Sequence, residues 1–200
     1  MNATPKPRPR TKPPEERRDE LMNAAQVLFL EKGISATTIE EITSGADVAK
    51  GTFYLHFTSK EDIHAALGER YLHQCAARLK AAVAKASKTD WKSRLGIWVK
   101  TCVVDFLDQG ALVDMLFHAH PRPPEGGPNV IVQHLTEFLD EGKSAGAWDL
   151  DDPSFTAVFL FGGLHGVVDD VLLGAKRISR TQLIQRVQQH FFRTVGLSVD

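Results

Sequence analysis

The segment Thr37 to Lys60, TTIEEITSGADVAKGTFYLHFTSK, constrains this chain more than any other stretch. It compresses two short helical patterns and a tight turn into one unit with polar side chains along one side. Thr37 or Thr38 supplies an N-cap, and Glu40 or Glu41 completes a capping box three residues on. Ile39, Ile42 and Ala46 then repeat at helical spacing. The turn falls at Asp47, Val48 plugs the space between helices, and a second helix of about Ala49 to His56 follows. That helix presents Lys50, Gly51, Thr52, Tyr54 and His56 to solvent, while Phe53 and Phe57 turn inward. This is a helix-turn-helix pattern, in which the second helix enters the major groove of DNA and the first crosses the backbone.

The run from Arg17 to Leu67, and above all the string Val48, Lys50, Gly51, Thr52, Phe53, Tyr54, His56, Phe57, Lys60, closely resembles the DNA-binding domain of the tetracycline-repressor (TetR) family of bacterial transcription regulators. The motif covers about a quarter of the chain, and the remainder agrees with the family in length and helical character. The resemblance implies a homodimeric, ligand-responsive repressor that binds double-stranded DNA at a near-palindromic operator, with no enzymatic activity. It also implies that Thr38, Tyr54, His56 and Lys60, with Thr37 beside them, meet phosphates, and that Lys50, Gly51, Thr52 and Leu55 face base edges. Two departures stand out. The family places Gly in the turn, whereas this chain has Asp47, one of the few other residue types that tolerates a left-handed backbone. Many members cap the recognition helix with Ser, and Ala49 has no side-chain acceptor, a loss of roughly 1 kcal/mol.

The net charge of −1 fits a DNA-binding chain only when its distribution is considered. Residues 1–14 carry Lys6, Arg8, Arg10 and Lys12 and no acid, and Pro5, Pro7, Pro9, Pro13 and Pro14 favour an extended chain. Such an arm can lie along phosphates or enter a minor groove; a solvated leader is the equal alternative. No apolar stretch follows the basic start, so no secretory leader is expected. No uninterrupted run of about 18 apolar residues occurs, so no membrane span is expected either. Cys75 and Cys102 are too few to staple the fold, and a reducing cytoplasm follows.

Periodicity predicts an all-α fold of about nine helices, and the resemblance implies that residues 15–67 form a three-helix DNA-binding domain and 68–200 a larger effector-binding and dimerisation domain. Leu21, Ala24, Ala25, Leu28 and Phe29 mark the first helix, ended by Gly33. Thr58 or Ser59 starts a fourth helix running toward Ala86, and Thr89 or Asp90 starts a fifth through Trp98 and Phe106. A short helix spans Gly110 to His118. Pro121 to Pro128 is a loop, and a helix covers Val130 to Gly142. Asp152 before Pro153 opens a helix that is apolar almost all round as far as Gly174, and Ser179 with Gln182 boxes the last one. An all-round apolar helix demands cover on several faces. A partner chain supplies it, with Phe155, Phe159, Gly162, Gly163, Gly166, Leu183, Val187 and Phe191 in a four-helix interface; a central core helix is the alternative.

No Walker, HExxH, GxSxG or dinucleotide pattern occurs, so no enzyme and no cofactor are expected. His118 and His120 form an HxH pair without further ligands at metal-site spacing, so no metal is expected. His165 and Asp169 lie one turn apart and read as a structural pair. The resemblance implies an effector pocket in the C-terminal region. There Trp98, Phe106, Phe117, Phe138 and Phe159, with the apolar-face thiol Cys102, supply walls for a small, largely apolar effector, and His118, His134 and His165 supply polar groups. The alternatives are a helical small-molecule-binding module, or a metal- or redox-responsive regulator sensing through His118, His120 or Cys102.

Overall fold

The computed structural model describes residues 12–118, 129–174 and 177–199. Among the described residues there are nine α-helices and no strand: α1 (Pro14–Lys32), α2 (Ile39–Gly45), α3 (Lys50–His56), α4 (Lys60–Val83), α5 (Trp91–Asp108), α6 (Gly110–Phe117), α7 (Val130–Ser144), α8 (Pro153–Leu172) and α9 (Arg180–Thr194). The all-α fold expected from periodicity is therefore present. Packing divides the chain into two units whose boundary, between Leu67 and Gly68, lies inside α4. Of the basic N-terminal arm only its end is described, where Lys12 pairs with Glu16 and Glu20. The remainder of the arm, His120 and the Pro121 to Pro128 loop lie outside the described residues.

In the first unit, Leu21, Met22, Ala25 and Phe29 of α1 pack with Ile42, Phe53, Phe57, Ile63 and Leu67 into a buried core. Local chemistry sets each boundary. Thr38 accepts from the Glu41 amide while Glu41 accepts from the Thr38 amide, which closes the capping box at α2. Asp62 accepts from the Thr58 amide and Ser59 accepts from the Asp62 amide at the start of α4. The fourth helix ends at Val83, short of Ala86, with a turn of bonds from Ala84 to Ala86 continuing it loosely.

The second unit is organised by α5, whose residues Leu95, Trp98, Val99, Cys102, Val103 and Phe106 are buried. Trp98 stacks on Phe191 of α9 at 6.0 Å. Gly96 allows the same helix pair to close, since a Cβ there would stand 3.3 Å from both Phe192 and Gln188, and Gln188 donates to the Gly96 carbonyl at 2.8 Å. The helix α7 packs on α8, and the Trp148 indole donates to the Leu139 carbonyl at 2.8 Å while its ring meets Trp91 and Phe138.

By length and composition α8 meets the requirements of a membrane-crossing helix, with mean hydropathy 1.5. The sequence expectation of no span rested on uninterrupted runs, which His165, Asp169 and Asp170 break. Its inner side, Ala157, Leu160, Phe161, Leu164 and Val168, is buried within the unit. Its outer side is not: Phe155 is 69% and Phe159 66% exposed, with Val158 beside them.

Gly142 generates a stability prediction with a definite sign. Alanine in a helix interior gains up to about 1 kcal/mol over glycine. A Cβ at this position, however, would fall 1.9 Å from Trp148 Cζ2. Because the Trp148 ring is held by its own hydrogen bond and two aromatic neighbours, overpacking of about 1–3 kcal/mol should win. Gly142→Ala is thus expected to lower the denaturation midpoint, and a raised midpoint would show that the Trp148 ring moves freely.

Candidate functional site

The turn between α2 and α3 contains the one non-glycine residue with positive φ among the described residues, Asp47 at 53°. The left-handed turn is therefore made without glycine. As expected, Ala49 gives α3 no side-chain cap, and the helix is held instead by buried Phe53 and Phe57. On its other side Lys50, Gly51, Tyr54 and Leu55 are exposed, Leu55 by 80%, and Thr52 and His56 are half-buried. A side chain that apolar and that exposed has no role in the core. Gly51 meets nothing within 4 Å of an added Cβ, so its lack of a side chain answers no internal packing need.

Three of the sequence-predicted DNA contacts are engaged elsewhere. Thr37 is buried, and its hydroxyl donates to the Gly33 carbonyl at 2.8 Å. The Lys60 ammonium donates to the carbonyls of Ile34, Ser35 and Thr37 at 2.8, 3.3 and 2.6 Å, which uses all three of its N–H groups. Both residues clasp the α1–α2 connection rather than reaching outward. Lys50 remains exposed, but its ammonium is paired with Glu40 of α2, and the hydrogen bond to that carboxylate raises its pKa.

In the second unit the residues expected to line one pocket separate into five places. Phe106, Phe117, His118 and His165 come together, with Leu72, Asn129, Phe161, Gly162 and Gly166, around a cavity of about 430 Å³. Phe106 and His165 meet edge to face at 5.4 Å, and Tyr71 lies against both Phe106 and Phe117. Trp98 and His134 form a separate pair, the indole N–H donating to His134 Nδ1 at 3.0 Å, and Phe138 belongs to the Trp91–Trp148 cluster. Cys102 is fully buried, and burial pushes its thiol pKa up, so it is not a reactive sensor. Phe159 is on the outer side of α8, bordering an apolar groove of about 400 Å³ between α8 and α9.

The residues assigned to a dimer interface divide as well. Phe155 and Phe159 are exposed, and Gly162, Gly163 and Gly166 leave open space beside α8. Leu183, Val187 and Phe191 are buried within the single chain, where α9 packs on α5, so their apolar stripe is already covered. The residues that sequence reasoning missed are Leu72, Asn129 and Tyr71. Nothing in their local pattern distinguishes them from helix core or a cap.

An exposed face on α3 at one-turn spacing, Lys50 and Gly51 followed by Tyr54 and Leu55, set after a left-handed turn and a boxed α2, defines a helix-turn-helix of the DNA-binding kind. The sequence profile of the bacterial regulatory proteins of the tetR family matches residues 21–67. Over 67 residues the chain is 39% identical to the transcriptional repressor KstR2 of Mycobacterium tuberculosis H37Rv, covering 34% of each protein. It is 31% identical over 96 residues to the transcriptional activator FasR of Mycolicibacterium smegmatis, covering 48% of this chain and 42% of that one. These alignments span less than half of either relative. The solved structure of the fatty acid degradation regulator FadR from Bacillus halodurans superposes over 94% of this chain and 100% of its own, with TM-score 0.72 and 22% identity, a likeness of fold. Over residues 21–67 the chain is thus similar to the TetR family of bacterial regulatory proteins.

Two predictions follow from this geometry. Removing the Lys60 ammonium strands three carbonyls, and hydrogen bonds to a charged group contribute about 1.5–3 kcal/mol; Lys60→Met should therefore lower the melting temperature in the absence of DNA. An unchanged melt would return Lys60 to the list of free cations. The second concerns His134, whose pKa is lowered mainly by burial. A folded-state value below the unfolded one means that the unfolded chain binds the proton more readily, so stability is retained above about pH 6.5 and lost as pH falls. Between about pH 7.5 and about pH 5.5 the parent should lose more stability than His134→Gln. Equal losses would remove His134 from the titration.

Proposed function

We propose that the chain is a ligand-responsive transcriptional repressor that binds a near-palindromic DNA operator as a homodimer in the bacterial cytoplasm, with no enzymatic activity. The observation that carries this reading is the solvent-facing set Lys50, Gly51, Tyr54 and Leu55 on α3. Lys50 bonds guanine acceptors, and Thr52 and Leu55 meet thymine methyls. Tyr54, His56 and Thr38 take phosphates, and Gly51 admits the DNA surface to the helix backbone. Thr37 and Lys60 brace this surface instead of contacting DNA. Residues 15–67 form the DNA-binding domain and residues 68–200 the regulatory one. Two α3 helices paired through α8 would occupy grooves about 34–36 Å apart, or a multiple of that. The exposed Phe155, Val158 and Phe159 support α8 as the pairing surface.

The effector site is the cavity bounded by Phe106, Phe117 and Phe161, whose volume and mostly apolar wall suit a small, largely apolar molecule. Asn129, His118 and His165 supply its polar contacts. Leu72 of α4 lines this cavity and Gly68 of α4 faces Phe117, so an occupant acts on the helix that begins four residues beyond α3. An effector that prefers the DNA-incompetent arrangement weakens DNA binding, and DNA weakens effector binding by the same factor.

The test uses fluorescence anisotropy with DNA flanking the gene. Lys50→Ala should reduce the preference for cognate over scrambled DNA by about 1–3 kcal/mol, whereas Tyr54→Phe should weaken both equally. Gly51→Ala should melt no lower than the parent yet bind the operator less tightly. A Lys50→Ala protein that loses the same factor on both DNAs would defeat the base-reading assignment.

A further inference from the structure

Beside the effector cavity lies a cluster of which the sequence suggested only the pair His165 and Asp169. His118, at the end of α6, and His165 and Asp169, one turn apart on α8, bring three ligand atoms within 4.8 Å of one another. Asp169 Oδ2 lies 3.0 Å from His165 Nδ1 and 3.5 Å from His118 Nε2. Donors around a tetrahedral ion with bonds of about 2.0–2.1 Å stand about 3.3 Å apart, so both separations fit one shell. The far side of His118 supplies an independent observation. Asp114 Oδ1 is 3.4 Å from its Nδ1. A carboxylate there can take the Nδ1 proton of His118, an arrangement that would leave Nε2, beside the Asp169 oxygen, available to bind an ion.

The three side chains are partly accessible, His118 by 38%, His165 by 28% and Asp169 by 24%, so an ion can enter. His118 and His165 border the 430 Å³ cavity, and His118 and Asp169 also border the neighbouring hollow formed with Asp114 and Leu172. Whatever joins the three ligands is thus exposed to an occupant of the cavity. The expectation of no metal rested on the HxH pair of His118 and His120. The structure recruits His118 into a different set, with partners on another helix.

We propose that His118, His165 and Asp169 form a mononuclear site for a divalent transition ion of the zinc class, with Asp114 orienting His118 and a coordination position left for water or for a heteroatom of the effector. Two imidazole nitrogens and one carboxylate oxygen are a donor set that suits such ions. The site rests on the effector reading only for its regulatory consequence; ion binding itself does not require it.

Tag-free full-length protein, stripped with chelator and dialysed, should take up one equivalent of Co2+ per chain, read by visible ligand-field absorption, and release it to Zn2+. Zn2+ should raise the melting temperature of the parent. His165→Gln and Asp169→Asn should each weaken Co2+ binding by at least about 10-fold, and Asp114→Asn by about 10- to 100-fold with unchanged stoichiometry. His190→Gln, on α9, should bind as the parent does. Metal-free melts establish that each variant is folded. Uptake well below one equivalent, or affinity unchanged in folded His165→Gln and Asp169→Asn, would overturn the site and leave a hydrogen-bonded histidine–carboxylate cluster. Because the titration contains no DNA, its failure and a failure of operator binding are separate results.

Discussion

The carboxylate of Asp105 ties α4 to α5, and much of the second unit is arranged around it. Arg78 donates to it through Nε at 2.6 Å and through a terminal nitrogen at 3.0 Å, and the Tyr71 hydroxyl donates at 3.0 Å. The Asp105 side chain is only 9% accessible, so its charge is held by these donors rather than by water. Removing either donor would leave a poorly solvated charge, the costly way to break such a contact. Burial raises the pKa of the Tyr71 hydroxyl, and the Asp105 charge adds to the effect, so tyrosine stays a donor. With its hydroxyl pinned, the Tyr71 ring is fixed against Phe106 and Phe117, two walls of the cavity.

This places the cavity and α4 in one mechanical arrangement. An occupant that displaced Phe117 would press on Tyr71 and on the backbone at Gly68, where there is no side chain to absorb the movement. In the proposed repressor that displacement is the signal, and the Asp105 contacts set how much force it needs. Interiors of this density have discrete alternatives rather than continuous give.

What could be read from the sequence was local chemistry. The capping boxes of Thr38 with Glu41 and Ser179 with Gln182, the Asp90 and Asp152 caps and the turn at Asp47 all involve neighbours along the chain, and each is present. Helical periodicity also identified which faces are buried. It does not say against what. Leu183, Val187 and Phe191 form a true apolar stripe, but their cover is in the same chain. Trp98, Phe138 and Phe106 have equivalent patterns and belong to three different clusters. The Lys60 clasp, and the addition of His118 to the one-turn pair of His165 and Asp169, depend on contacts between distant segments, and no spacing rule reports either.

The Glu40–Lys50 bridge has a thermodynamic consequence for any polyanion that approaches α3. Phosphate binding is driven largely by release of the counterions condensed on nucleic acid, with each neutralising cation adding to the salt dependence. Lys50 already has a tethered counterion in Glu40, a carboxylate that cannot diffuse away. Glu40 is therefore a resident competitor at the centre of the surface. Backbone attraction alone must displace it and leave it unpaired, whereas a base edge that engages Lys50 with good geometry can compensate for the loss. In the proposed complex with DNA the bridge would discount indiscriminate attraction more than selective contact, making an acidic residue part of how α3 would choose among sequences.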